Sequence, residues 1–518
     1  MKLKQLANNL GLTALGDTDP EIFGITDDSR KVTDCDMFAA VKGTALDGRN
    51  FIGAAKDNGA AAVILAPPDL ADIGPRILTQ GPEADFRRWL ALAARLIYGA
   101  PDEKLRLIGL TGTNGKSTVS YLLEAILLEA GISTGVIGTV DFRWPGGQTE
   151  APNTTPEGPL LFKTLNQMVK SGCRAAVMEV SSHGLELGRI AGLKFEAALF
   201  TNLTRDHLDF HGGMEEYYLA KRRLFFEHLS ADGRAVISAD DPYGQRLISE
   251  VGNRAITFSL GAKADVCGLD LTLGRQGLSM TVVEADRKYQ VQSPLLGRFN
   301  ALNILAACAL AKTLGIEIDQ IQSALARSSG APGRLQKVGG DYLALVDYAH
   351  TPGALATALE SLRALGPDRL IAVFGCGGDR DRGKRPLMGA EAGKLADLAI
   401  VTSDNPRTED PLAIIEEASI GLTALGLKPV KATELGLGSE ANDSAGSRAE
   451  LKAKLKDHFL VVPDRRQAIR LAVNLMEQGD LVLVAGKGHE TYQIIGRQKI
   501  KFDDVQEVAA ALKEAGRL

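Results

Sequence analysis

The sequence has few cysteines and no long apolar run. Five of its 518 residues are cysteine, and they are scattered without a Cys-x-x-Cys pair, which argues against a disulfide framework and against a thiolate zinc site. No apolar stretch reaches the roughly 18 to 20 residues that span a bilayer. Residues 1–10 lack the continuous apolar core of a signal peptide. We therefore expect a cytoplasmic protein with no membrane insertion.

Positive charge is not in excess either. The chain has 64 acidic and 59 basic residues and a net charge of −5, so nucleic acid is not expected as a partner. Its 45% hydrophobic and 24% charged content exclude a disordered, collagen-like or coiled-coil protein. At about 150 residues per domain, the length predicts three or four domains.

Short apolar runs that end in glycine-rich or polar loops recur along the chain, and several lead into amphipathic helical patterns. They occupy residues 105–110, 175–180, 343–346, 370–374, 398–401 and 481–484. This alternation is typical of parallel α/β layers. Open α/β sheets bind ligands at the carboxyl ends of their strands, so we expect these loops to build the functional site. A stretch rich in glycine, serine, asparagine and aspartate, residues 435–447, predicts an exposed loop.

One loop between a predicted strand and a predicted helix has the composition of a phosphate-binding loop. It consists of Gly112, Thr113, Asn114, Gly115, Lys116, Ser117 and Thr118. Glycines let backbone N–H groups approach a phosphate, Lys116 reaches the outer phosphates, and a hydroxyl of Ser117 or Thr118 suits Mg²⁺. However, Leu110 stands where the general G-x-x-x-x-G-K-[ST] pattern has glycine. The alternative is a glycine turn that opens a structural helix.

Several separated motifs occur in one consistent order along the chain. They are TGTNGKST at 111–118, NTTP at 153–156, EVSSH at 179–183, TNLTRDH at 201–207, YLAK at 218–221, GRFN at 297–300, PGR at 332–334 and DYAH at 347–350. With them the chain resembles the Mur ligases, ATP-dependent enzymes that add amino acids to the UDP-linked peptidoglycan precursor. DNPR at 404–407 and GKGHE at 486–490 make it most similar to the members that add the third residue.

The resemblance implies an α/β fold of three domains. Residues 1–98 would form a small N-terminal UDP-substrate-binding domain. Residues 99–333 would form a central ATP-binding domain with a P-loop ATPase-like parallel sheet. Residues 334–518 would form a Rossmann-like ligase domain that binds the amino acid.

Glu179 and His207 follow separate apolar strands, so both can face one cleft. Taken alone, such residues are more often ordinary hydrogen-bond partners. The resemblance implies that they act in catalysis and hold Mg²⁺, with Ser117, between ATP and the acceptor carboxylate. The cation is needed because both substrates are anions.

Lys221 lies in a helical pattern beside Arg222 and Arg223, which by itself predicts a solvated basic face. The resemblance implies a catalytic lysine, alongside Lys116, that is carbamylated and supports a second Mg²⁺. Reaction with CO₂ needs the free amine, whose reference pKa is about 10.4. Arg222 and Arg223 would lower that pKa if they pointed inward.

The remaining roles also come from the resemblance. Asn300, Arg334 and Asp347 would contact the adenine, phosphate and ribose of ATP, which implies a nucleotide held between domains and a site assembled on closure. Their alternative is a hinge or capping contact. The UDP-linked substrate would contact Ser29, Asn153, Thr154, Thr155, Ser181 and Arg189. Leu187 stands where some members have glutamine.

Arg407 carries the choice of amino acid. Its planar guanidinium pairs with a carboxylate, which suits the distal end of meso-diaminopimelate, an end that lysine lacks. Arg380 would supply a second guanidinium for the carboxylate, and Asp404 and Glu490 would bind the distal ammonium. Asn405, Pro406 and Gly486 would complete the site. The alternative is that Arg407 caps its strand or pairs with Glu409.

The resemblance thus implies an ATP- and Mg²⁺-dependent ligase that adds meso-diaminopimelate to UDP-N-acetylmuramoyl-L-alanyl-D-glutamate through an acyl phosphate. We expect a monomer. Two alternatives stay open: a ligase of the same fold that adds L-lysine or another amino acid, and a nucleotide-dependent switch that forms no bond.

Overall fold

The computed structural model describes residues 1–43, 46–70, 72–261, 263–285, 287–431, 434 and 455–518. The predicted loop at 435–447 lies outside the described residues. The chain packs as two units. The first contains Met1–Leu269, Thr281–Val291 and Leu302–Ala326, and the second contains Asp270–Met280, Gln292–Ala301 and Arg327–Leu518.

The N-terminal part of the first unit is built around a small sheet. Its helices are α1 (Leu3–Leu10), α2 (Ile52–Asp57) and α3 (Phe86–Ile97), and its strands are β1 (Ala14–Leu15), β2 (Gly24–Thr26), β3 (Asp36–Ala39), β4 (Ala62–Leu65) and β5 (Arg76–Leu78). The strand order is β1-β5-β4-β3-β2. All neighbours are parallel except β1 and β5.

The next segment contributes the strands of an 11-stranded sheet. They are β6 (Arg106–Thr111), β7 (Thr134–Ile137), β8 (Asp141–Trp144), β9 (Gly147–Glu150), β10 (Ala175–Glu179), β11 (Phe195–Phe200), β12 (Leu229–Ser238), β13 (Ala255–Ser259), β14 (Val266–Gly274), β15 (Gly277–Glu284) and β16 (Arg287–Ser293). Its helices are α4 (Lys116–Glu129), α5 (Gly158–Lys170), α6 (Ser182–Glu186), α7 (Leu208–His211), α8 (Met214–Glu227), α9 (Pro242–Val251), α10 (Arg298–Thr313) and α11 (Ile318–Arg327).

The strand order of this sheet is β16-β15-β14-β13-β12-β11-β6-β10-β7-β8-β9. Strands β12, β11, β6, β10 and β7 run parallel to one another, as the alternating pattern predicts. Helix α4 is followed by Gly131 at φ 70°, a left-handed conformation that glycine adopts without a steric penalty and that ends helices.

The C-terminal segment forms a seven-stranded sheet and a two-stranded one. The strands are β17 (Gln336–Val338), β18 (Leu343–Asp347), β19 (Leu370–Phe374), β20 (Leu398–Val401), β21 (Lys428–Lys431), β22 (His458–Val461), β23 (Leu481–Ala485), β24 (Tyr492–Ile495) and β25 (Gln498–Lys501). The helices are α12 (Pro352–Arg363), α13 (Lys384–Leu395), α14 (Pro411–Thr423), α15 (Arg465–Leu475) and α16 (Asp504–Glu514). The larger sheet has the order β17-β18-β23-β19-β20-β22-β21 and is parallel except at β17.

These sheets confirm the predicted α/β class. The sheets of five, eleven and seven strands each fall within one of the three predicted segments. The domain boundaries at residues 98 and 333 stay predictions. In the first unit one apolar core includes residues of the small sheet, α3, α5 and the central sheet. Helices α3 and α5 meet closely, since a Cβ on Gly158 would lie 2.5 Å from the Cα of Ala91. Within the described residues, no helix combines the length and apolar character needed to cross a membrane.

Helices α13 and α14 approach each other so closely that a glycine is required between them. A Cβ on Gly421 would overlap the carbonyl oxygen of Pro386 and lie 2.5 Å from the amide nitrogen of Ala390. We expect Gly421→Ala to lower the free energy of unfolding by about 1 to 3 kcal/mol, because backbone cannot move aside as a side chain can. Thermal unfolding measures this effect.

Gly353→Ala on α12 is the matched control, since a Cβ there meets nothing within 4 Å. It is expected to leave the stability unchanged or to raise it by up to about 1 kcal/mol. Equal melting temperatures for the two variants would show that the helix contact is not tight.

Candidate active site

The glycine-rich loop leaves β6 at Thr111 and enters α4 at Lys116. Gly112 has φ 137° and Gly115 has φ 92°, a region that residues with a Cβ rarely adopt. A Cβ on Gly112 would also overlap the hydroxyl of Thr201. Glycine is therefore required at this turn for conformation and for space.

The loop is held by the segment that follows β11. Thr201 Oγ1 donates to the carbonyl of Asn114 at 2.6 Å. Asn202 accepts from the amide of Thr113 at 2.9 Å through its backbone carbonyl and from the amide of Asn114 at 3.0 Å through its side-chain oxygen. Sequence analysis noted the TNLT motif but gave it no role. The sequence signal for this role is that the motif directly follows β11, the strand beside β6.

Two lysine side chains converge on one carbonyl of this loop. Lys116 Nζ donates to the carbonyls of Gly112 at 2.8 Å and Thr113 at 2.9 Å. Lys221 Nζ donates to the same Gly112 oxygen at 3.0 Å and lies 4.7 Å from the centre of the Tyr217 ring. Behind Lys116, Ser117 and Thr118 are buried in the first turn of α4.

Lys221 is 2% exposed, so the solvated basic face is wrong for this residue. Burial and then the positive charge of Lys116 lower the pKa of Lys221 well below its usual range. Arg222 and Arg223 do not meet the condition of pointing inward, so they are not the cause of this lowered pKa. Arg222 pairs with Glu250 and Arg223 with Glu227, both at the surface side of α8.

Glu179 ends β10 with its side chain 1% exposed. Its two carboxylate oxygens accept from the amide of Thr139 at 3.0 Å and from the hydroxyl of Thr139 at 2.9 Å. That hydroxyl lies 3.0 Å from the hydroxyl of Thr154. The carboxylate is thus fixed in place and still has lone pairs for a ligand.

His207 is in a left-handed conformation, with φ 53°. Its side chain is 48% exposed, and its Nε2 lies 3.5 Å from Asp206 Oδ2. The ring packs edge-on against His183, with ring centres 4.9 Å apart. Burial, followed by the nearby His207 and His211, lowers the pKa of His183 to about 4. His183 is therefore neutral at pH 7 and adds no positive charge beside His207.

No group of three or more His, Cys, Asp and Glu side chains is placed to hold a metal ion in the part of the chain that the structure describes. A cation held near Glu179 and His207 would therefore take further ligands from hydroxyls, from phosphate oxygens of a bound nucleotide or from water. Mg²⁺ binds in this way, with few protein ligands. The donors present fit that ion.

Several residues predicted for the UDP-linked substrate form one hydrogen-bonded group. Thr155 Oγ1 donates to the carbonyl of Glu179 at 2.9 Å and accepts from the amide of Ser181 at 2.9 Å. Arg189 donates to the carbonyl of Thr155 at 2.9 Å and pairs with Glu157 at 2.9 Å.

Two further residues predicted for this substrate lie outside that group of bonds. Asn153 is exposed. Ser29 is buried in a short 3₁₀ helix, where its carbonyl accepts from Asn58 at 2.9 Å.

The second unit contains the other residues predicted for ATP. Asp347 is buried, and its oxygens accept from the amides of Leu335 at 2.7 Å and Ala349 at 2.8 Å. Burial raises the pKa of Asp347, and Arg334 partly opposes this. The Arg334 guanidinium lies 4.9 Å from the centre of the Tyr348 ring.

Asn300 is 1% exposed and donates to the carbonyl of Leu296 at 2.8 Å. Its amide is therefore engaged within α10 and the turn before it. Since Asn300 also belongs to the second unit, the ATP residues predicted from sequence are divided between the two units.

The loops after β19, β20 and β23 bring the predicted amino-acid residues together. Arg407 donates to the carbonyl of Gly378 at 2.8 Å. A Cβ on Gly377 would lie 3.0 Å from Arg407 Nη1 and 3.8 Å from Arg380 Cγ, so both arginines border this glycine. Glu409 pairs with Arg385 at 2.8 Å, and the alternative pairing of Arg407 with Glu409 is wrong.

Asp404, Asn405 and Glu490 meet around a residue that sequence analysis missed, Lys487. Its buried ammonium lies 3.4 Å from Asp404, 3.0 Å from Asn405 Oδ1 and 3.3 Å from Glu490. The two carboxylates predicted to receive a ligand ammonium therefore already share an internal one. The sequence feature that could have identified Lys487 is its position inside the GKGHE motif.

The remaining two predicted residues are part of these loops. A Cβ on Gly378 would overlap the carbonyl oxygen of Pro406, so the loops after β19 and β20 touch through their backbones. Gly486 has φ 121°, and a Cβ there would lie 3.4 Å from Asp404 Oδ2.

We expect Thr201→Val to weaken ATP binding about tenfold, because the Asn114 carbonyl loses its hydroxyl donor and the loop is held less firmly, by its remaining bonds such as those with Asn202. Isothermal titration of ATP measures the effect. Thr164→Val is the control, since it also removes a bond from a buried hydroxyl to a carbonyl, 2.8 Å long, but within α5. Equal affinities for both variants would contradict the role of Thr201.

Family models match three segments of the chain in order. The Mur ligase family catalytic domain matches residues 21–90, the Mur ligase middle domain matches residues 110–311, and the Mur ligase glutamate ligase domain matches residues 333–488. The matched segments include the glycine-rich loop, the strands that flank it and the DNPR loop.

Curated relatives match over the whole length. The UDP-N-acetylmuramoyl-L-alanyl-D-glutamate–2,6-diaminopimelate ligase of Geobacter metallireducens is 44% identical over 522 residues, covering 99% of this chain and 99% of that protein. The enzyme of the same name from Geobacillus kaustophilus is 40% identical over 524 residues, covering 100% of each.

Solved structures agree with these matches. A structure of a UDP-N-acetylmuramoyl-L-alanyl-D-glutamate–2,6-diaminopimelate ligase is 35% identical, covers 96% of each chain and superposes with a TM-score of 0.64. MurF ligase from Thermotoga maritima, solved in complex with ADP, is 21% identical, covers 95% of this chain and 97% of its own, and shares the fold with a TM-score of 0.63. On this similarity across nearly its whole length, the chain belongs to the Mur ligase family.

Proposed function

We propose that this Mur ligase joins meso-diaminopimelate to the γ-carboxylate of the D-glutamyl residue of UDP-N-acetylmuramoyl-L-alanyl-D-glutamate, a step of peptidoglycan precursor synthesis. The observation that carries the proposal is the set of loops after β19, β20 and β23. In one unit they bring two arginines, Arg380 and Arg407, beside Gly377 and two carboxylates, Asp404 and Glu490, around Lys487. That is the complement of an amino acid whose far end has both a carboxylate and an ammonium.

The nucleotide is ATP, and the loop from Gly112 to Thr118 receives its phosphates. Backbone amides at the start of α4 and the Lys116 ammonium suit this anion. In the structure, Lys116 donates to two loop carbonyls. When ATP binds, its ammonium donates to phosphate oxygens instead. Asn300, Arg334 and Asp347 are assigned to the adenine, a phosphate and the ribose.

The acceptor carboxylate is a poor electrophile, so it is activated first. Transfer of the γ-phosphoryl group of ATP to a carboxylate oxygen gives an acyl phosphate and ADP. The amine of diaminopimelate then attacks the acyl carbon, and the tetrahedral intermediate releases phosphate and forms the amide. Arg380 and Arg407 hold the far carboxylate and thereby place the amine near the acyl carbon.

Mg²⁺ is assigned to Ser117, Glu179, His207 and Lys221, the last as a carbamate. When bound, the ion offsets the negative charges of the phosphates and the acceptor carboxylate. The bonds from Thr139 keep the Glu179 carboxylate oriented. Thr154, Thr155, Ser181 and Arg189, with Ser29 and Asn153, are assigned to the UDP-linked substrate. Action as a monomer in the cytoplasm stays a prediction.

The surroundings of Lys221 support the proposal that it is carbamylated. The neutral amine attacks the carbon of CO₂, an N–C bond forms and a proton leaves, which gives an anionic carbamate. Burial and the Lys116 charge favour the neutral amine that this step needs. The product carries two oxygens, which are assigned as ligands of Mg²⁺.

The test of the proposed function is phosphate release with ATP, Mg²⁺ and the UDP-linked dipeptide, in the presence of meso-diaminopimelate, of L-lysine or of neither. Release is expected only with diaminopimelate. Arg407→Asn is expected to lower kcat/KM for diaminopimelate by about 100-fold or more, since a bidentate charged pair is lost. A preference for lysine would overturn the substrate assignment, and equal release without an amino acid would indicate a nucleotide switch.

We expect Lys221→Ala to lower kcat by on the order of 100- to 1000-fold while the melting temperature stays close to that of the wild type. The physical reason is the loss of the group that carries the carbamate. Arg223→Ala on the same helix is the control and should keep full activity, because Arg223 pairs with Glu227 at the surface. Normal turnover by Lys221→Ala would reject the carbamate.

A further inference from the structure

Lys487 is held entirely inside the amino-acid loops. Its side chain is 0% exposed, and its ammonium faces Asp404 Oδ1, Asn405 Oδ1 and Glu490 Oε2 at 3.4, 3.0 and 3.3 Å. An ammonium has three N–H donors. These three acceptors use all of them, so Lys487 is a fixed internal cation and does not reach out toward a ligand.

The side chain between the two carboxylates is also fixed. Asn405 Oδ1 accepts from the amide of Ile494 at 2.9 Å, and its Nδ2 donates to Glu490 Oε2 at 2.8 Å. The bonds made by Lys487 and Asn405 thus use Asp404 Oδ1 and Glu490 Oε2. They do not use Asp404 Oδ2 or Glu490 Oε1.

Asp404 Oδ2 faces a glycine. A Cβ on Gly486 would lie 3.4 Å from that oxygen and 3.8 Å from Nη2 of Arg465. Arg465 is neutralised by Asp504 at 2.6 Å, with both side chains 0% exposed. This arginine is therefore already paired, and glycine at position 486 places no side chain in front of Asp404 Oδ2.

The charges in this cluster leave one negative charge in excess, since Lys487 stands against Asp404 and Glu490. Without a cation between them, two neighbouring carboxylates repel each other. The internal ammonium of Lys487 offsets this repulsion and leaves one negative charge of these three groups to be balanced. That balance suits one ligand cation.

We propose that Lys487 is a positioning residue that holds Asp404 and Glu490 together and orients them for the distal ammonium of the amino-acid substrate. The inference rests on the proposed function and adds to it a residue that acts through the two carboxylates. In this proposal, Asp404 and Glu490, held in place by Lys487, distinguish a substrate with a distal ammonium from one with an uncharged group there.

The test compares Lys487→Met with the wild type, using meso-diaminopimelate and L-2-aminopimelate, which lacks the distal amine. In the variant we expect KM for diaminopimelate to rise about 10- to 100-fold. The KM values for ATP and the UDP-linked dipeptide should stay within about twofold, because both are assigned to other residues. The preference for diaminopimelate over aminopimelate should fall by a similar factor, which a merely structural role would not produce.

Two further variants keep the test decisive. Lys394→Met removes a lysine at the surface of α13, which is 51% exposed, and should behave like the wild type. Lys487→Gln removes the charge but keeps an amide donor, and it replaces Lys487→Met if the latter does not fold. A folded variant at position 487 that retains the wild-type preference would overturn the proposal.

The wild-type assay separates this inference from the proposed function. If the wild type forms product with L-lysine and not with diaminopimelate, the proposed substrate is wrong. Lys487 is then judged by the preference for L-lysine over L-2-aminohexanoate, which lacks the side-chain ammonium. Loss of that preference in the variant supports the role of Lys487, and its retention overturns it.

Discussion

In both units, parallel strands bring their carboxyl ends to one edge of a sheet, and the loops of the candidate site begin there. In the central sheet β6 lies between β11 and β10. The residues that follow these strands are consequently neighbours, which is why Thr201 contacts the glycine-rich loop and why Thr155 and Ser181 gather at the end of β10. In the C-terminal sheet the order β18-β23-β19-β20 has the same consequence for Tyr348, Gly486 and Asp404.

Close approach between loops explains the glycines at this edge. Gly333 has φ 64°, and a Cβ there would overlap the backbone of Gly488. Gly488 in turn has φ 55°, and its Cβ would lie 2.6 Å from the Cβ of Tyr348. Backbones that touch leave no room for a side chain, so the PGR, DYAH and GKGHE motifs depend on one another sterically.

The sequence pattern predicted the strands and the loops well, because apolar runs and glycine-rich turns are local signals. The strands predicted at 370–374 and 398–401 coincide with β19 and β20, and the strand predicted at 105–110 is shifted by one residue from β6. The orientation of side chains on a helix was not predicted. Consecutive helical residues point about 100° apart, so Lys221 is buried while Arg222 and Arg223 reach surface glutamates. The ion pairs of Lys487 with Asp404 and of Arg385 with Glu409 join distant segments, and no local pattern specifies them.

Lys221 and Lys487 are both buried, yet their neighbours give them opposite chemistry. Burying an ammonium is costly unless a counter-charge is present. Lys487 has two carboxylates and an amide oxygen within 3.4 Å, so it is held as a cation. Lys221 faces a carbonyl oxygen and an aromatic ring, with a second ammonium nearby. There the neutral amine is favoured over the ammonium, and a neutral amine can react with an electrophile such as CO₂. The same residue type therefore serves as a fixed charge at one site and, in the proposed carbamylation, as a nucleophile at the other.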